Sequence, residues 1–473
     1  MRSLFHRKAV SLEALAPHHR LRPSLDWRHL IPLGVGAIVG TGIYTLIGVG
    51  ANLAGPAVIV SFLVAGAVCA CAALAYAEVA TMIPVSGSAY TYSYVVLGEI
   101  IAWAVGWSLI LEYSLVVSAV AVGWSGYAVG FLAALGLHLP AALSAGLWAG
   151  GLVNAPAIVI IAAVAGLLTL GAREGATVNA ALVAMKIAAL GVFLAVAAPH
   201  FHPANFHPFM PYGFAGAEIG GVRHGVMAAA SIIFFAFYGF DAISTAAEET
   251  RRPGRDLPIG IIGSMAACAA IYVAVAAAAV GAAPVRDFAG SPEPLALILR
   301  RLGQGETAVV IGAAAVIALP TVLLAFLYGQ SRIFFVMARD GLLPAGLARV
   351  NARTGTPARM TLVTAVAVGA LAGVAPLDQI ASLANAGTLT AFAAVSVCML
   401  ALRLRTPEAA RLYRTPAAWL VGPAAILGCL YLFANLQTKT QLFFAAWNLV
   451  GLVCYLAWRW RGARQDRLGL APP

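Results

Sequence analysis

Charge is scarce in this chain. Of its 473 residues only 10% are Asp, Glu, Lys or Arg, while 62% are hydrophobic and the mean hydropathy is +0.90. A soluble domain carries about 25% charged and 45–50% apolar residues, so a water-soluble globule is excluded. Acidic residues are the rarer sign, 18 against 29 basic, for a formal net charge of +11. Basic blocks interleaved with long apolar runs fit cytoplasmic membrane loops rather than a nucleic-acid face, and no nucleic-acid partner is expected. Cysteine is sparse too. The six, at 69, 71, 268, 398, 429 and 454, lie inside apolar runs without metal-type spacing. That excludes a disulfide framework or a zinc site and leaves small core residues. All nine histidines fall in tails, loops or span ends, which disfavours a histidine proton relay. No HExxH, GxSxG or GxxxxGK[ST] pattern occurs, so neither an enzyme, a metal, a cofactor nor pumping by nucleotide hydrolysis is expected. Residues 1–28 lack the apolar stretch and cleavage site of a signal peptide and are expected to be a cytoplasmic tail.

What is present is a series of apolar runs, each near the 20 residues needed to cross hydrocarbon. They fall at 30–51, 57–82, 100–124, 155–171, 177–198, 224–247, 258–282, 306–337, 361–375, 377–401, 416–434 and 440–460, twelve spans in all. The fourth and ninth are short, and the segment from Gly126 to Asn154 is apolar enough to hold a re-entrant piece. With the N-terminus in the cytoplasm, 23 of the 29 basic residues fall on the inner side and 5 on the outer. Both ends are therefore expected inside. The basic residue left over is Lys186, in mid-membrane.

The first span contains GVGAIVGTGIY, Gly34 to Tyr44, with glycines at 34, 36, 40 and 42. Small residues four apart also let membrane helices pack closely, and this is the plain alternative. A dinucleotide fingerprint is excluded, because neither a preceding strand nor an acidic partner about 20 residues on is present. The sixth span carries a second interruption, SIIFFAFYGFDAISTAAEET (231–250), with Gly239 and Asp241 at mid-depth. The two spans are five helices apart. Five is odd, so two successive five-helix halves enter the membrane from opposite sides, and interrupted helices at matching positions of inverted halves point to a midplane transport site. Where a helix unwinds in hydrocarbon, its freed amides and carbonyls need a ligand or buried water. Amides of Thr41, Gly42 and Ile43 would face an anion, and carbonyls near Phe235, Ala236 and Tyr238 a cation. Side by side, these match the two ends of an α-amino acid.

The chain also resembles the amino acid, polyamine and organocation transporter superfamily, and within it the bacterial members of the cationic amino acid transporter group. The resemblance covers most of the chain. It rests on GVGAIVGTGIY, PVSGSAYTY (84–92), LEYSLVVSAVAVGWSGY (111–127), Lys186, FFAFYGFDAISTAAEE (234–249), RDLPIGI (255–261) and YGQSRIFFVMARDGLLP (328–344). It implies an all-α membrane protein of about 12 transmembrane helices. A five-plus-five inverted repeat, with discontinuous helices 1 and 6, is followed by two extra helices. The expected divisions are a tail at 1–28, a first repeat at 29–200, a second at 201–401, two further helices at 402–460 and a tail at 461–473. The resemblance places the substrate carboxylate on the unwound part of span one, Ile38 to Gly42, and the amino group on the carbonyls of Phe235, Ala236 and Tyr238. The expected substrate-binding residues are Ile38, Val39, Gly40, Thr41, Gly42, Ile43, Phe235, Ala236, Phe237, Tyr238 and Gly239. Tyr238 departs from the aliphatic residue common there, a phenol that narrows the pocket or adds a hydrogen bond.

Lys186 lies about ten residues from either end of its span, roughly 15 Å from water. An ionisable group at that depth costs on the order of 2.5–3.5 kcal/mol and is by default functional. The resemblance implies that its ammonium replaces the cation of sodium-driven relatives, so proton coupling is the expectation. Glu112 and Asp241 are the other deep carboxylates. A counter-charge to Lys186, a contact for a cationic substrate and a protonated packing group are all open to them. Glu78, Glu248 and Glu249 lie near span ends, where loop pairing or solvation is expected. Most of Phe234, Phe235, Phe237, Tyr238 and Phe240 are ordinary packing, with one as a gate. Residues 84–94 and 339–359 are expected to be moving loops. The expectation is a proton-coupled carrier of small neutral L-amino acids in a bacterial inner membrane, surrounded by lipid and compatible with a small single-helix subunit. Cationic substrates, exchange, and a channel or sensor on the same fold are the alternatives.

Overall fold

The computed structural model describes residues 6–7, 25–83, 88–170, 176–245, 250–339, 342 and 358–467. The first pass is in pieces, α1 (Trp27–Ile38), α2 (Thr41–Tyr44) and α3 (Leu46–Ala54). Then come α4 (Val58–Met82), α5 (Ser88–Val96), α6 (Glu99–Ala134), the short α7 (Ala141–Ser144), α8 (Ala155–Thr169) and α9 (Ala176–Ala197). A small hairpin, β1 (Ala217–Ile219) and β2 (Val222–His224), precedes the sixth pass. That pass is α10 (Val226–Ile233), a 3₁₀ turn at Phe234–Phe237, and α11 (Phe240–Thr245). The seventh is α12 (Pro253–Ala282), followed by α13 (Val285–Phe288) and α14 (Pro294–Arg301). The eighth is α15 (Gly305–Ala318) and α16 (Pro320–Arg339), divided where Pro320 has no amide to give. The last four are α17 (Ala358–Val374), α18 (Leu377–Arg405), α19 (Ala418–Asn435) and α20 (Thr438–Arg467).

Among the described residues helices cover each of the twelve expected spans, the first and sixth interrupted. Eight of the described helical segments are long and apolar enough to cross a membrane, and Ala155–Thr169, Val226–Phe237 and Ala358–Val374 are shorter apolar helices. Their outer faces stay greasy, with Val366 73% and Leu420 71% exposed, as lipid requires. Two boundaries differ from expectation. The third pass does not stop at 124; α6 runs on to Ala134, because Gly126 and Gly130 on one face accept Pro292 and the Glu293 carboxylate where a side chain would collide. The stretch expected as a loop at 84–94 is helical from Ser88, and its tyrosines are buried. Residues 84–87, 246–249 (with Glu248 and Glu249) and most of 339–359 lie outside the described residues.

Local signals fix the ends. Asp26 and His29 form a capping box at α1, with Asp26 accepting from the Arg28 amide at 2.9 Å. Asn154 caps α8 and also receives the Ser125 hydroxyl at 2.6 Å, pinning α8 to α6. In the interior, α1 packs on α12, α4 on α12 and α10, α8 on α17, and α6 lies between α16 and α18. The α20 helix docks on α6 through a tryptophan ladder. Trp107 and Trp447 exchange indole-to-carbonyl bonds at 2.9 and 3.0 Å, and Trp103 donates to the Gly451 carbonyl at 2.9 Å. The cysteines are free; Cys69, Cys268, Cys398 and Cys429 are buried as expected, whereas Cys454 faces outward.

Glu78 is wholly buried at the end of α4, and it pairs rather than meeting water. Its carboxylate takes Arg403 Nε and Nη2 at 2.9 and 2.6 Å and the Thr415 amide at 2.7 Å, with Arg411 at 3.3 Å. This one side chain ties α4 to the end of α18 and to the approach to α19. Glu78→Ala leaves two guanidinium groups uncompensated, so a loss of about 3 kcal/mol is expected. A lowered Tm in detergent, partly restored by Glu78→Gln, is the measurement.

Candidate functional site

The site begins with the question of where the backbone groups at each break go. In the first pass α1 ends at Ile38, Val39 is extended, and Gly40 (φ −152°, ψ −149°) leads into α2. The carbonyls this frees are taken by side chains from distant helices. Lys186 Nζ donates to Gly36 at 2.9 Å and to Val39 at 3.2 Å, and the Tyr272 hydroxyl donates to Ile38 at 2.9 Å. The Tyr127 hydroxyl donates to the Tyr44 carbonyl at 2.6 Å, while Tyr44 donates its own hydroxyl to the Lys186 carbonyl at 2.9 Å. On the amide side, Ile43 and Tyr44 return to the Gly40 carbonyl at 3.3 and 3.4 Å. Ile43, expected to offer its amide, is therefore already engaged. The amides of Thr41 and Gly42 have no acceptor among the described residues, and the buried Thr41 hydroxyl beside them has no partner.

The sixth pass breaks after its 3₁₀ turn. Tyr238 is extended and Gly239 has φ +105°, where a β-carbon would be strained and would sit 2.7 Å from the Ala37 carbonyl carbon. Asn385 of α18 donates to the Ser231 and Ile232 carbonyls at 2.6 and 2.9 Å. The Phe237 carbonyl faces the Cys69 thiol at 3.8 Å, and the Phe235 carbonyl receives the Tyr238 amide at 3.4 Å. The Ala236 carbonyl has no donor among the described residues. A β-carbon on Gly42 would collide with the Ala236 Cα, so the two breaks cross backbone to backbone. Among the groups left open, the Thr41 and Gly42 amides and the Ala236 carbonyl thus come from segments in direct contact.

The charges take separate places around this crossing. Lys186 is 1% exposed and bound to the first break. Glu112, 3% exposed, lies against Gly387 of α18, and one of its oxygens has no hydrogen-bond partner among the described residues. Asp241 is buried at the start of α11 and accepts from the Tyr113 hydroxyl at 3.4 Å. The aromatics are packing for the most part: Phe237 sits edge-on to Phe62 and Tyr272, and Phe240 leans on Tyr76 and Phe392. Tyr44, Tyr127, Tyr272, Cys69 and Asn385 were missed as site residues. Their sequence signal is a lone polar group deep in an apolar run. Among the described residues no cluster could hold a metal ion.

A helical membrane protein whose two interrupted helices cross at a set of unclaimed backbone groups has the architecture of a carrier. The family model described as amino acid permease matches residues 25–458, and the chain belongs to this family. It is 45% identical to the branched-chain amino acid permease BcaP of Bacillus subtilis (strain 168) over 459 residues, 96% of this chain and 97% of that one. It is 40% identical over the same length and shares to a methylthioribose transporter of that organism. A vacuolar cationic amino acid transporter 4 of Arabidopsis thaliana is 36% identical over 415 residues, 86% of this chain and 68% of that one.

Gly239→Ala is expected to lower the Tm, since a strained φ costs about 1–3 kcal/mol before the contact with Ala37 is counted. Differential scanning fluorimetry of the detergent-solubilised protein checks this, with the exposed Gly220→Ala, also at positive φ but in open space, as the comparison.

Proposed function

We propose that this chain is a secondary active carrier that brings L-amino acids into the cytoplasm by alternating access, with a proton as the coupling ion. The observation that carries the reading is the bookkeeping of the two breaks. Many of the backbone groups they release are claimed by side chains, and among those left over are two amides and a carbonyl on segments in contact. Amides at the start of a helical turn suit a carboxylate, and a carbonyl at the close of one suits an ammonium. The spacing of the breaks supports two inverted repeats, 29–200 and 201–401, around one midplane site. The basic residues favour both termini on the cytoplasmic face of a bacterial inner membrane.

Proton coupling rests on Lys186. Its ammonium meets two carbonyls of the first break, where a bound metal cation would otherwise neutralise them. An ammonium offers a full charge and three hydrogens; the neutral amine gives up the charge. Losing the proton loosens α1 from α9, which ties proton release to movement of the broken helix.

For the substrate, the branched-chain permease at 45% identity supports neutral side chains. The methylthioribose relative supplies a second reading, in which a thiosugar is the cargo. A sugar has neither carboxylate nor ammonium to meet the open groups, so the amino acid reading is preferred. Uptake of labelled alanine into proteoliposomes under an imposed pH gradient tests both, competed by neutral amino acids, lysine, arginine and methylthioribose. Saturable, proton-driven accumulation displaced by neutral amino acids is the expected result. Competition by methylthioribose alone reverses the substrate assignment. Lys186→Gln is expected to abolish gradient-driven accumulation; accumulation at the full rate with its pH dependence intact removes the lysine from the mechanism.

A further inference from the structure

Asn385 stands in the middle of α18, far in sequence from either break, and is wholly buried. Its carboxamide is fully used on the sixth pass. Nδ2 donates to the carbonyls of Ser231 and Ile232, and Oδ1 accepts the Tyr238 hydroxyl at 2.6 Å. The two carbonyls lie just before the 3₁₀ turn and the phenol just after it, so one side chain brackets the break. Two donors and one acceptor on a short planar group are what this geometry needs. Aspartate would set a carboxylate against two carbonyls, and leucine would take the amide's donors from two carbonyls and its acceptor from a hydroxyl. Ser231 is held from a second direction as well, donating its hydroxyl to the Leu432 carbonyl of α19 at 2.9 Å.

Tyr238 is buried, and its hydroxyl is bound by Asn385. What the phenol then presents is its ring, stacked at a tilt 4.9 Å from Phe235 and edge-on to Phe234 at 6.3 Å. Thr388, almost one turn on from Asn385 in α18, faces the same phenol. A ring tethered at its far end cannot swing aside for a bulky guest as an untethered one can. We infer that Asn385 is the positioning residue of the sixth-pass break and that, by tethering Tyr238, it sets the upper size of the substrate side chain. The inference rests on the amino acid site proposed above.

The test is the ratio of kcat/KM for leucine, and for phenylalanine, to that for alanine in proteoliposomes. Tyr238→Ala, which removes the ring, is expected to raise the ratio for the bulkier substrates about tenfold, the scale on which an apolar pocket discriminates by size. Tyr238→Phe keeps the ring and both Asn385 bonds to carbonyls but cuts the tether, and is expected to raise the ratio about threefold. Asn385→Ala is expected to follow Tyr238→Phe in ratio and, unlike it, to lower the Tm. A fall in Tm alone is what a purely structural asparagine would give. Should Asn385→Ala or Tyr238→Ala prove inactive, Tyr238→Phe decides: an unchanged ratio there overturns the inference. Gly42→Val separates this from the underlying reading, because its side chain would collide with Ala236 at the crossing. If folded Gly42→Val transports alanine as the parent does, the site itself is misassigned. If Gly42→Val is inactive while the Tyr238 variants keep the parental ratio, the site stands and the size-setting role falls.

Discussion

A peptide group in hydrocarbon has no water to fall back on, and leaving one unpaired costs several kcal/mol. Everything distinctive about this protein follows from breaking that rule twice and repairing it from elsewhere. At the first break the repairs come from α9, α12 and α6, through Lys186, Tyr272 and Tyr127. At the second they come from α18 and α4, through Asn385 and Cys69. The interruptions are therefore sites where five other helices have committed a side chain to hold a non-helical backbone open. On the proposed reading, ligand binding would not have to hold the breaks apart and would only have to satisfy groups still unclaimed.

Glycine makes the crossing geometrically accessible. Gly42 passes over Ala236 and Gly239 passes over Ala37, so each break supplies the residue without a side chain at the point where the other backbone arrives. Gly36 and Gly123 play a subordinate part, giving room to Val183 and Thr41. Backbone approach this close brings the open groups of two separate passes within one small volume. The same contact packs the two segments directly against each other, linking the pair. Lys186 on one side and Asn385 on the other then attach the linked pair to different parts of the surrounding bundle.

Much of this was legible beforehand. Hydropathy alone placed twelve helical passes, and the runs GVGAIVGTGIY and FFAFYGFD marked both interruptions, because a break in a membrane helix needs residues that tolerate non-helical backbone. Lys186 stood out by its depth. Other features were misjudged for local reasons. The third span was expected to end at 124, yet the helix continues and Gly126 and Gly130 form a notch for Pro292 and Glu293, which arrive more than 160 residues later. Residues 84–94 looked like loop because their polar groups and tyrosines break the apolar run, yet from Ser88 on they are helical and buried against α6 and α18.

The sequence by itself determined where the chain crosses the membrane, where it cannot stay helical and which cations lie too deep to be solvated. These are properties of neighbouring residues, written in hydropathy and in glycine. Only the tertiary structure decided which freed backbone groups are closed and which stay open. A carbonyl at Ile38 is satisfied by a tyrosine 234 residues away, and one at Ile232 by an asparagine 153 residues away. No pattern along the chain records such a pairing, because it exists only once the helices have packed.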